Sequence, residues 1–495
     1  MRVAVFSTHV LWTPHYETEL DIMQEHLDAG DHVTHVVCDR GLSTCDLIVS
    51  HNVRRGLDPL LPDRDRCDAC VRRRNNGARL LKGRVRRERI AAPSGVAKAR
   101  LQSGFVDKDE LRHYVVDGFD AGEAALSSVI SFCRDPKPDM REHSQLVQRY
   151  LRSCDDLYSF TQDFIRRAHP DRVYVFNGRF AYTRAVLRAC QANKTECFVH
   201  DRGHDIQHYA IYENALPHDL EYVTSLIRSR WAAEPDIEKK AGIADAFYSQ
   251  RRRGEEQSWF SFVGEQKPGL LPEGWNGAKR NVAIFCSSED EFEAAGQEWR
   301  NPLYSDQLEA IQRILADPRI AGNNEVHLYL RVHPNLRNVD NPYTRALRGL
   351  SQHNLTVIQP DSPVSTYALM DSSTKVLSFG STAGIEAVYW GKPSMLAGMS
   401  FYRSLGGNYV PKSQSELAEM LVSDLAPKPK EAALVYGYYM GSYGRPHKYY
   451  QALGIRQGTF KGRDLQQPAP GLRARMLRGR EMLLRRWRRA QPRQG

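Results

Sequence analysis

Short apolar runs alternate with amphipathic helical stretches along the chain, which is the pattern of a parallel α/β protein. In the first half, strands are predicted at residues 2–7, 32–38, 172–176 and 196–199, and helices at 16–29, 144–166 and 182–192. In the second half, strands are predicted at 282–285, 326–332, 355–358, 375–379 and 394–396, and helices at 306–315, 365–370 and 383–390. Two successive series of this kind predict two Rossmann-type domains that face one cleft.

Local composition divides the chain into five segments. Residues 1–263 form a first α/β domain with a Cys- and Arg-rich insertion at about 39–110, and residues 264–279 form a Gly- and Pro-rich linker. Residues 280–426 form a second α/β domain, residues 427–470 are predicted to be helices that pack back across the cleft, and residues 471–495 are a basic amphipathic tail.

A turn in the second domain has the residues of a phosphate site. Gly380-Ser381-Thr382 follows a strand and precedes a helix, so backbone N–H groups, two hydroxyls and a helix N-terminus meet there. Glu386 lies one turn into that helix, where its carboxylate could reach a ribose hydroxyl. The alternative interpretation is a turn that serves packing alone.

A second polar strand end supports the ligand interpretation. The strand at residues 326–332 contains Arg331 and runs directly into His333-Pro334. Open α/β sheets bind their ligands at the carboxyl ends of strands. The arginine keeps its charge, and the histidine can donate a hydrogen bond to phosphate. Two such strand ends in one domain predict a binding site.

The first domain also has polar residues at two successive strand ends. One strand ends in Asn177-Gly-Arg179, and the next ends in a polar cluster at residues 200–205. Each could be an ordinary capped turn, but their common edge predicts a site. The loop at residues 9–15 lacks a Gly-x-Gly-x-x-Gly pattern, so a dinucleotide is not predicted.

Composition and charge narrow the class of protein. The 495 residues are 41% hydrophobic and 26% charged, which is typical of a soluble globular protein. Residues 1–6 read as a first strand and not as a signal peptide, so we expect a cytoplasmic location. The formal net charge is +10, and nine arginines with a single acid in residues 471–495 account for most of it. Nucleic-acid binding by the folded body is therefore not expected.

The tail has apolar residues on one helical face surrounded by arginines, namely Leu472, Met476, Leu483 and Trp487. That pattern predicts a helix that lies on an anionic membrane surface, which would place the protein peripherally on the inner face of the plasma membrane. A solvated or disordered basic tail is the alternative.

The nine cysteines are interpreted as reduced, because their number is odd and no export signal is seen. Four of them cluster in sequence: Cys38, Cys45, Cys67 and Cys70. Their spacing can build a tetrahedral thiolate site for structural zinc. Ordinary thiols and an iron–sulfur cluster are the alternatives.

The motifs of the second domain resemble a known group. Residues 331–335, 380–387 and 391–393 are similar to the capsule polysaccharide biosynthesis family, bacterial glycosyltransferases of GT-B architecture that include the β-Kdo transferases. More distantly, the His-Pro step and the Ser-Thr turn resemble bacterial sialyltransferases, which also use CMP-activated sugars. The similarity covers roughly residues 281–402.

The resemblance implies that the second domain binds a nucleotide-activated donor. It implies that His333 contacts the donor phosphate or nucleotide, that Ser381 and Thr382 hold phosphate, and that Glu386 lies near the ribose. Three further residues would line the same pocket: Ser287, Ser288 and Glu289. Such groups can stabilise a leaving phosphate without a metal cofactor.

The first domain would then hold the acceptor. The family has an acidic-Asp-Gly motif that supplies the catalytic carboxylate, and this chain has Asp201-Arg202-Gly203 in its place. Because Arg202 replaces the central acid, we predict Asp201 as the acid/base residue, with His204 and Asp205 as substitutes. Asn177 and Arg179 would line the acceptor side of the cleft.

These expectations describe a metal-independent glycosyltransferase. It would move a sugar from a nucleotide-activated donor, with CMP favoured, to a growing surface polysaccharide or lipid-linked acceptor. A CDP-linked polyol-phosphate transferase and a sugar-nucleotide epimerase are the enzyme alternatives. A basic protein that binds membranes or nucleic acid is the alternative without catalysis.

Overall fold

A computed structural model describes residues 1–90 and 101–466. The first domain is built on a twisted sheet whose strands, in chain order, are β1 (Arg2–Ser7), β2 (His32–Cys38), β3 (Val85–Ile90), β4 (Arg172–Phe176), β5 (Glu196–Arg202) and β6 (His208–Glu213). In space the order is β6-β5-β4-β1-β2-β3, and all neighbours are parallel except the antiparallel pair of β5 and β6. The strand order reverses between β1 and β4.

Helices cover both faces of this sheet. They are α1 (His15–Asp28), α2 (Asp46–Arg54), α3 (Arg64–Ala78), α4 (Lys108–Arg112), α5 (Ala121–Cys133), α6 (Ser144–Ala168), α7 (Ala181–Ala192), α8 (Leu220–Ala233) and α9 (Ile237–Arg252). The long α6 buries Tyr150, Leu157 and Phe164 at helical spacing, and the Phe164 ring meets Phe6 of β1 edge-on at 5.8 Å. Burial of Leu157 and of Phe164 contributes about 1.5–3 kcal/mol each.

The second domain repeats the same topology. Its strands are β7 (Arg280–Phe285), β8 (Val326–Arg331), β9 (Leu355–Ile358), β10 (Lys375–Ser378) and β11 (Ser394–Leu396), all parallel, in the spatial order β9-β8-β7-β10-β11. Its helices are α10 (Glu289–Ala295), α11 (Gln307–Ala316), α12 (Pro318–Ala321), α13 (Pro342–Arg348), α14 (Thr366–Ser372), α15 (Ala383–Tyr389) and α16 (Gln414–Val422). The predicted fold class, two Rossmann-type domains, is confirmed, and each sheet has its switch point beside its first strand.

The segment at about 39–110 is not an insertion, which corrects the sequence interpretation. It supplies α2, α3 and the edge strand β3, which pairs in parallel with β2 from Val33↔Val85 to Cys38↔Ile90. Only Ile90 of β3 is buried, and arginines occupy half of the strand. Charged edge strands resist aggregation but lack the apolar alternation that identifies a strand in sequence.

The chain after residue 426 returns to the first domain, but it is helical only in part. Helix α17 (Glu431–Met440) packs against α8 and α9, where the Tyr248 hydroxyl donates to the Ala433 carbonyl oxygen at 2.7 Å. The following strands are β12 (Arg445–Pro446), β13 (Tyr450–Gly454) and β14 (Gln457–Phe460). Strand β12 extends the first sheet beside β6, and β13–β14 form a hairpin against α1. The predicted all-helical segment at 427–470 is therefore corrected.

Helices long and apolar enough to cross a membrane are absent from the described ranges 1–90 and 101–466. The prediction of a membrane-surface helix at residues 471–495 lies outside those ranges.

Candidate active site

His333 stands at the carboxyl end of β8 as a neutral hydrogen-bond donor. The backbone N–H of Asn335 donates to its Nδ1 at 3.2 Å, and the Ser288 hydroxyl lies 3.5 Å from the same atom. Burial lowers the pKa of His333 to about 4. A neutral imidazole that accepts at Nδ1 carries its proton on Nε2, so Nε2–H is the group offered to a ligand.

Three guanidinium groups add to the lowering of the pKa of this imidazole: Arg134, Arg331 and Arg251. Arg134 caps the end of α5 in the first domain, and Arg251 belongs to the last turn of α9. Arg251 donates from Nη2 to the Thr382 hydroxyl at 2.8 Å. The cations that act on His333 therefore belong to both domains.

Arg331 is a buried cation with unused hydrogen-bond donors. It is 3% exposed, and burial lowers its pKa to about 10. Its Nη2 donates to the Ser362 carbonyl oxygen at 3.1 Å, whereas within the described part of the chain Nε and Nη1 have no partner. A desolvated guanidinium of this kind favours an anionic ligand.

The predicted phosphate turn is tight because Gly380 has a φ of +115°. A Cβ there would lie 2.4 Å from the Met399 carbonyl oxygen and 2.5 Å from the Phe292 ring. The Ser381 carbonyl oxygen accepts from the Gly384 N–H at 3.0 Å and from the Tyr402 hydroxyl at 2.5 Å. Ser381 and Thr382 are both partly exposed residues just after the end of β10.

Replacing Gly380 by alanine is expected to destabilise the second domain by about 2–6 kcal/mol, from backbone strain together with overpacking. Gly391→Ala is the matched control, because Gly391 also has a positive φ of +75° but no atom within 4 Å of its would-be Cβ. Denaturant unfolding of both variants measures the difference. Equal losses in the two would contradict the close contacts around the turn.

Glu386 holds Arg251 in place. Its Oε1 accepts from Arg251 Nε at 2.9 Å, and its Oε2 accepts from the Tyr367 hydroxyl at 2.5 Å. The side chain is 3% exposed. The predicted contact with a ribose would require the carboxylate to release one of these partners, so we interpret Glu386 as a positioning residue for the guanidinium.

The other residues predicted from the end of β7 have separate surroundings. The Ser287 hydroxyl donates to the Phe379 carbonyl oxygen at 3.3 Å and so ties β7 to β10. Glu289 lies beside Asp306 and the backbone of Gln307, and burial raises its pKa to about 8. Among the described residues, Ser288 is the only one of these three that lies within hydrogen-bonding distance of His333.

On the opposite side of the cleft, Asn177 and Asp201 form a pair at the ends of β4 and β5. Asn177 Nδ2 donates to Asp201 Oδ2 at 2.7 Å, and the Arg202 N–H donates to Asp201 Oδ1 at 2.8 Å. Asn177 has a φ of +58°, and its buried Oδ1 has no partner in the portion of the chain described. Backbone strain and an unsatisfied buried oxygen are both features of functional sites.

Arg179 connects the two sides of the cleft. Its Nη1 donates to the Ser131 hydroxyl at 2.7 Å and to the Ala294 carbonyl oxygen of α10 at 3.2 Å. Burial lowers its pKa to about 10, and the carboxylates of Glu291 and Asp201 oppose that shift.

These polar contacts continue from Glu291 to the donor side of the cleft. Glu291 accepts from Asn335 Nδ2 at 2.6 Å, and Asn335 is the residue that fixes His333. Polar contacts therefore join the predicted strand ends of the two domains, and we refer to the boundary between them as the cleft.

Arg202, the residue that departs from the resembled motif, holds three segments of the chain together by hydrogen bonds. Its guanidinium donates to the carbonyl oxygens of Thr13 at 3.1 Å, Ser258 at 3.2 Å and Ile455 at 3.0 Å. It also lies 5.1 Å from the Trp259 ring centroid. The arginine thus ties three segments together beside Asp201 and leaves that residue as the carboxylate of the pair.

His204 and Asp205, the predicted substitutes for Asp201, belong to a different cluster. His204 Nδ1 donates to the Tyr443 carbonyl oxygen at 2.8 Å, and Asp205 Oδ1 lies 2.6 Å from His208 Nδ1. Within the described residues, neither of them forms a hydrogen bond with the Asn177–Asp201 pair.

Sequence reasoning missed a buried polar triad at the end of β1. His9 Nε2 lies 2.9 Å from Asp46 Oδ2, and His9 Nδ1 lies 2.9 Å from the Thr8 hydroxyl. The imidazole packs against the rings of Phe176 and Phe180. The sequence contains a signal for this triad: a Thr-His step directly follows a buried strand, as His333 directly follows another.

Sequence reasoning also missed an aromatic strip at the mouth of the cleft. Trp259, Phe260 and Phe262 are 45%, 39% and 37% exposed. The Phe262 ring meets the His333 ring at 5.2 Å, and the Arg456 guanidinium lies over both Trp259 and Phe260. The strip therefore extends from the donor side of the cleft towards Arg202.

The predicted thiolate site does not come together in this arrangement. No three of the four cysteines have sulfur atoms within 4.8 Å of one another among the described residues, and all four are free thiols. Burial raises the pKa of Cys45, of Cys38 and of Cys67, and raises that of Cys70 to about 12. The donor set therefore does not fit zinc as placed, and structural zinc at these residues stays a prediction.

Two open cavities lie away from this cleft. One of about 460 Å³ is at the amino ends of β1 and β2, near Arg2 and His32. The other, of about 370 Å³, lies between α7 and α10 and is lined by several ion-paired side chains. Parallel sheets bind ligands at the carboxyl ends of their strands, so the first cavity is at the wrong edge.

No protein-family model matches the chain, and no curated protein matches it. Solved structures similar to it include two of KpsC from Thermosulfurimonas dismutans. The beta Kdo 2,4 transferase is 12% identical over 55% of this chain and 79% of its own, with a TM-score of 0.38. The beta Kdo 2,7 transferase is 13% identical over 57% and 80%, with a TM-score of 0.35.

The glycosyltransferase SnogD from Streptomyces nogalater is 12% identical over 89% of this chain and 94% of its own, with a TM-score of 0.24. Glycosyltransferases are thus among the solved structures that this chain is similar to. Because these TM-scores are low, the function proposed below depends on the geometry of the cleft alone.

Proposed function

We propose that this protein is a glycosyltransferase that moves a sugar from a nucleotide-activated donor to a glycan or lipid-linked acceptor. One observation carries the proposal. The neutral His333 stands at the carboxyl edge of one sheet with three guanidinium groups acting on it, and the Asn177–Asp201 pair stands at the carboxyl edge of the other sheet. An anion site and a carboxylate on opposite walls are the two parts that group transfer from a phosphate ester needs.

The donor side suits a leaving phosphate. Breaking a sugar–phosphate bond develops negative charge on the phosphate, which His333 Nε2–H, Arg251, Arg331 and the turn hydroxyls can stabilise. Arg251 is already fixed by Glu386 at 2.9 Å and by Thr382 at 2.8 Å. Donors fixed before the reaction lower the barrier, because no reorganisation is needed as charge develops. Chemistry of this kind needs no metal cofactor.

The acceptor side suits deprotonation of a hydroxyl. Asp201 is partly exposed and is oriented by bonds from Asn177 Nδ2 and from the Arg202 N–H. Its carboxylate would accept the proton of the attacking acceptor hydroxyl. The unpaired Oδ1 of Asn177 could accept a second hydrogen bond from the same sugar.

The aromatic strip supports a carbohydrate acceptor. Sugar rings have apolar C–H faces that pack on aromatic rings, and Trp259, Phe260 and Phe262 offer three such rings at the cleft mouth. The Arg456 guanidinium over two of these rings would favour an acidic sugar in the acceptor.

Incubation of the purified chain with CMP-, CDP- and UDP-linked donors, with and without a glycan acceptor, tests the proposal. We expect CMP release that depends on the acceptor and appears together with an extended glycan. Release of CDP with transfer of a polyol phosphate would favour the polyol-phosphate transferase. Conversion of a donor without any acceptor would favour the epimerase. No nucleotide bound or released would contradict all three.

The membrane proposal for the tail has its own test. Deleting residues 471–495 removes nine arginines and is expected to abolish binding to vesicles that contain anionic lipid, because each basic residue near such a surface contributes about 1 kcal/mol. Turnover of a soluble acceptor is expected to stay at the level of the full chain. Vesicle cosedimentation measures the first effect, and unchanged sedimentation of the shortened chain would contradict the proposal.

A further inference from the structure

We propose that His204, Asp205 and His208 bind a divalent transition-metal ion, Zn²⁺ by their donor chemistry, at the turn between β5 and β6. One ligand atom from each of the three lies within 4.8 Å of the others. Across residues 1–90 and 101–466, this is the one group of three or more His, Cys, Asp or Glu residues that meets such spacing. The proposal is independent of the glycosyltransferase assignment.

The geometry places a carboxylate between two imidazoles. Asp205 Oδ1 lies 2.6 Å from His208 Nδ1, Asp205 Oδ2 lies 3.4 Å from His204 Nε2, and the two ring centroids are 4.1 Å apart. Two imidazole nitrogens and one carboxylate oxygen are ligands that Zn²⁺ accepts, with a fourth tetrahedral position left for water. Small movements of these side chains would turn the present contacts into metal–ligand bonds.

The backbone of the turn holds the ligands together. The Gly203 N–H donates to the His208 carbonyl oxygen at 2.9 Å, and the Gln207 N–H donates to Asp205 Oδ1 at 2.8 Å. A Cβ on Gly203 would lie 2.6 Å from the Cβ of His208, so glycine permits the close approach of the two strands. The ligands are therefore arranged before a metal arrives.

A second, independent observation supports the site. His204 Nδ1 donates to the Tyr443 carbonyl oxygen at 2.8 Å, which fixes the tautomer with a free lone pair on Nε2, towards Asp205. Metal-binding histidines characteristically donate their other ring N–H to a backbone carbonyl or a carboxylate in this way. The carbonyl belongs to the segment that returns from the second domain.

The site would reinforce the attachment of that returning segment. Strand β12 pairs with β6 at Pro446↔His208, and the His447 N–H donates to the Gln207 carbonyl oxygen at 2.9 Å. Both ring nitrogens of His447 are buried without a partner in the described chain. A metal at this turn would thus stabilise the β5–β6 end, a few residues from Asp201.

The test uses the full-length chain, stripped with a chelator and titrated with Co²⁺ and then with Zn²⁺. We expect one equivalent of Co²⁺ with the visible absorption of a tetrahedral N/O complex, its displacement by Zn²⁺, and a rise in Tm. His208→Ala and Asp205→Asn are each expected to weaken Zn²⁺ binding by at least about 100-fold. Circular dichroism of the stripped variants checks that they are folded.

Two controls separate this site from other sources of binding. His353→Ala removes an exposed histidine elsewhere, and the double variant Cys67→Ser/Cys70→Ser removes half of the predicted thiolate set. Both are expected to keep the wild-type Zn²⁺ affinity. Absence of the Co²⁺ spectrum in the wild type, equal affinity in His208→Ala, or loss of binding in the cysteine variant would each overturn the proposal.

Discussion

Replacing His333 by alanine is expected to lower kcat/KM for the nucleotide-activated donor by about 100- to 1,000-fold, the usual effect of removing one fixed donor to a developing anion. The side chain contributes a neutral Nε2–H, because burial lowers its pKa to about 4 and Asn335 occupies Nδ1. The three arginines around it would remain. Some donor binding should therefore persist, and kcat should fall more than KM rises.

His327→Ala is the matched control for that variant. His327 lies on the same strand β8, but its Nε2 contacts the Thr356 hydroxyl at 2.8 Å, towards the amino end of the strand and away from the cleft. Nucleotide release and product formation at varied donor concentration give kcat and KM for both variants. Wild-type turnover by His333→Ala, or equal losses in the two variants, would contradict the donor-site assignment.

The sequence predicted the parts of the site that follow directly from a buried strand. His333 follows β8, the turn at Gly380 follows β10, and Asn177 follows β4, so local pattern and the strand-end rule located them. The first five strands of each domain have the same spatial order, and in both domains the predicted residues stand at the carboxyl ends of the strands. Where a site residue directly follows a buried strand, the local sequence pattern was enough to predict it.

The sequence did not predict groups that reach the site through tertiary packing. Arg251 lies 131 residues from Thr382, and Arg134 lies on a helix of the other domain. Lys and Arg together number 69 in the chain, so two arginines carry no distinguishing signal. Glu386 was expected to contact the ligand, because the sequence does not identify Arg251 as its partner.

Strands that do not alternate were also missed. β3 contains Arg86, Arg87 and Arg89 and is held by pairing with β2, so its stability comes from the neighbouring strand and not from its own apolar residues. β12 is two exposed residues placed by β6. Tertiary context overrides local propensity in such edge strands, and it explains why the segments at about 39–110 and 427–470 were misread.

Asp201→Asn is expected to lower kcat for transfer by about 100- to 10,000-fold, the range for loss of a general base. The amide has the size of the carboxylate, and its single oxygen can still accept from the Arg202 N–H. Its NH2 would then face Asn177, whose amide can turn its Oδ1, without a partner in the described residues, to accept from it, so the local structure should persist. It cannot take the proton of the acceptor hydroxyl. The loss should therefore appear in the chemical step.

Donor affinity should be unchanged in this variant, because Asp201 lies on the first domain and the phosphate groups would lie at His333 on the second. The measurement is nucleotide binding by thermal shift together with kcat for transfer, and Asp163→Asn on the exposed face of α6 is the matched control. A fall in kcat at constant donor affinity assigns the carboxylate to the acceptor. Wild-type kcat would instead exclude Asp201 as the general base. The buried His9–Asp46 pair, with its 2.9 Å contact at the end of β1, two strands away in the same sheet, would then be the next candidate.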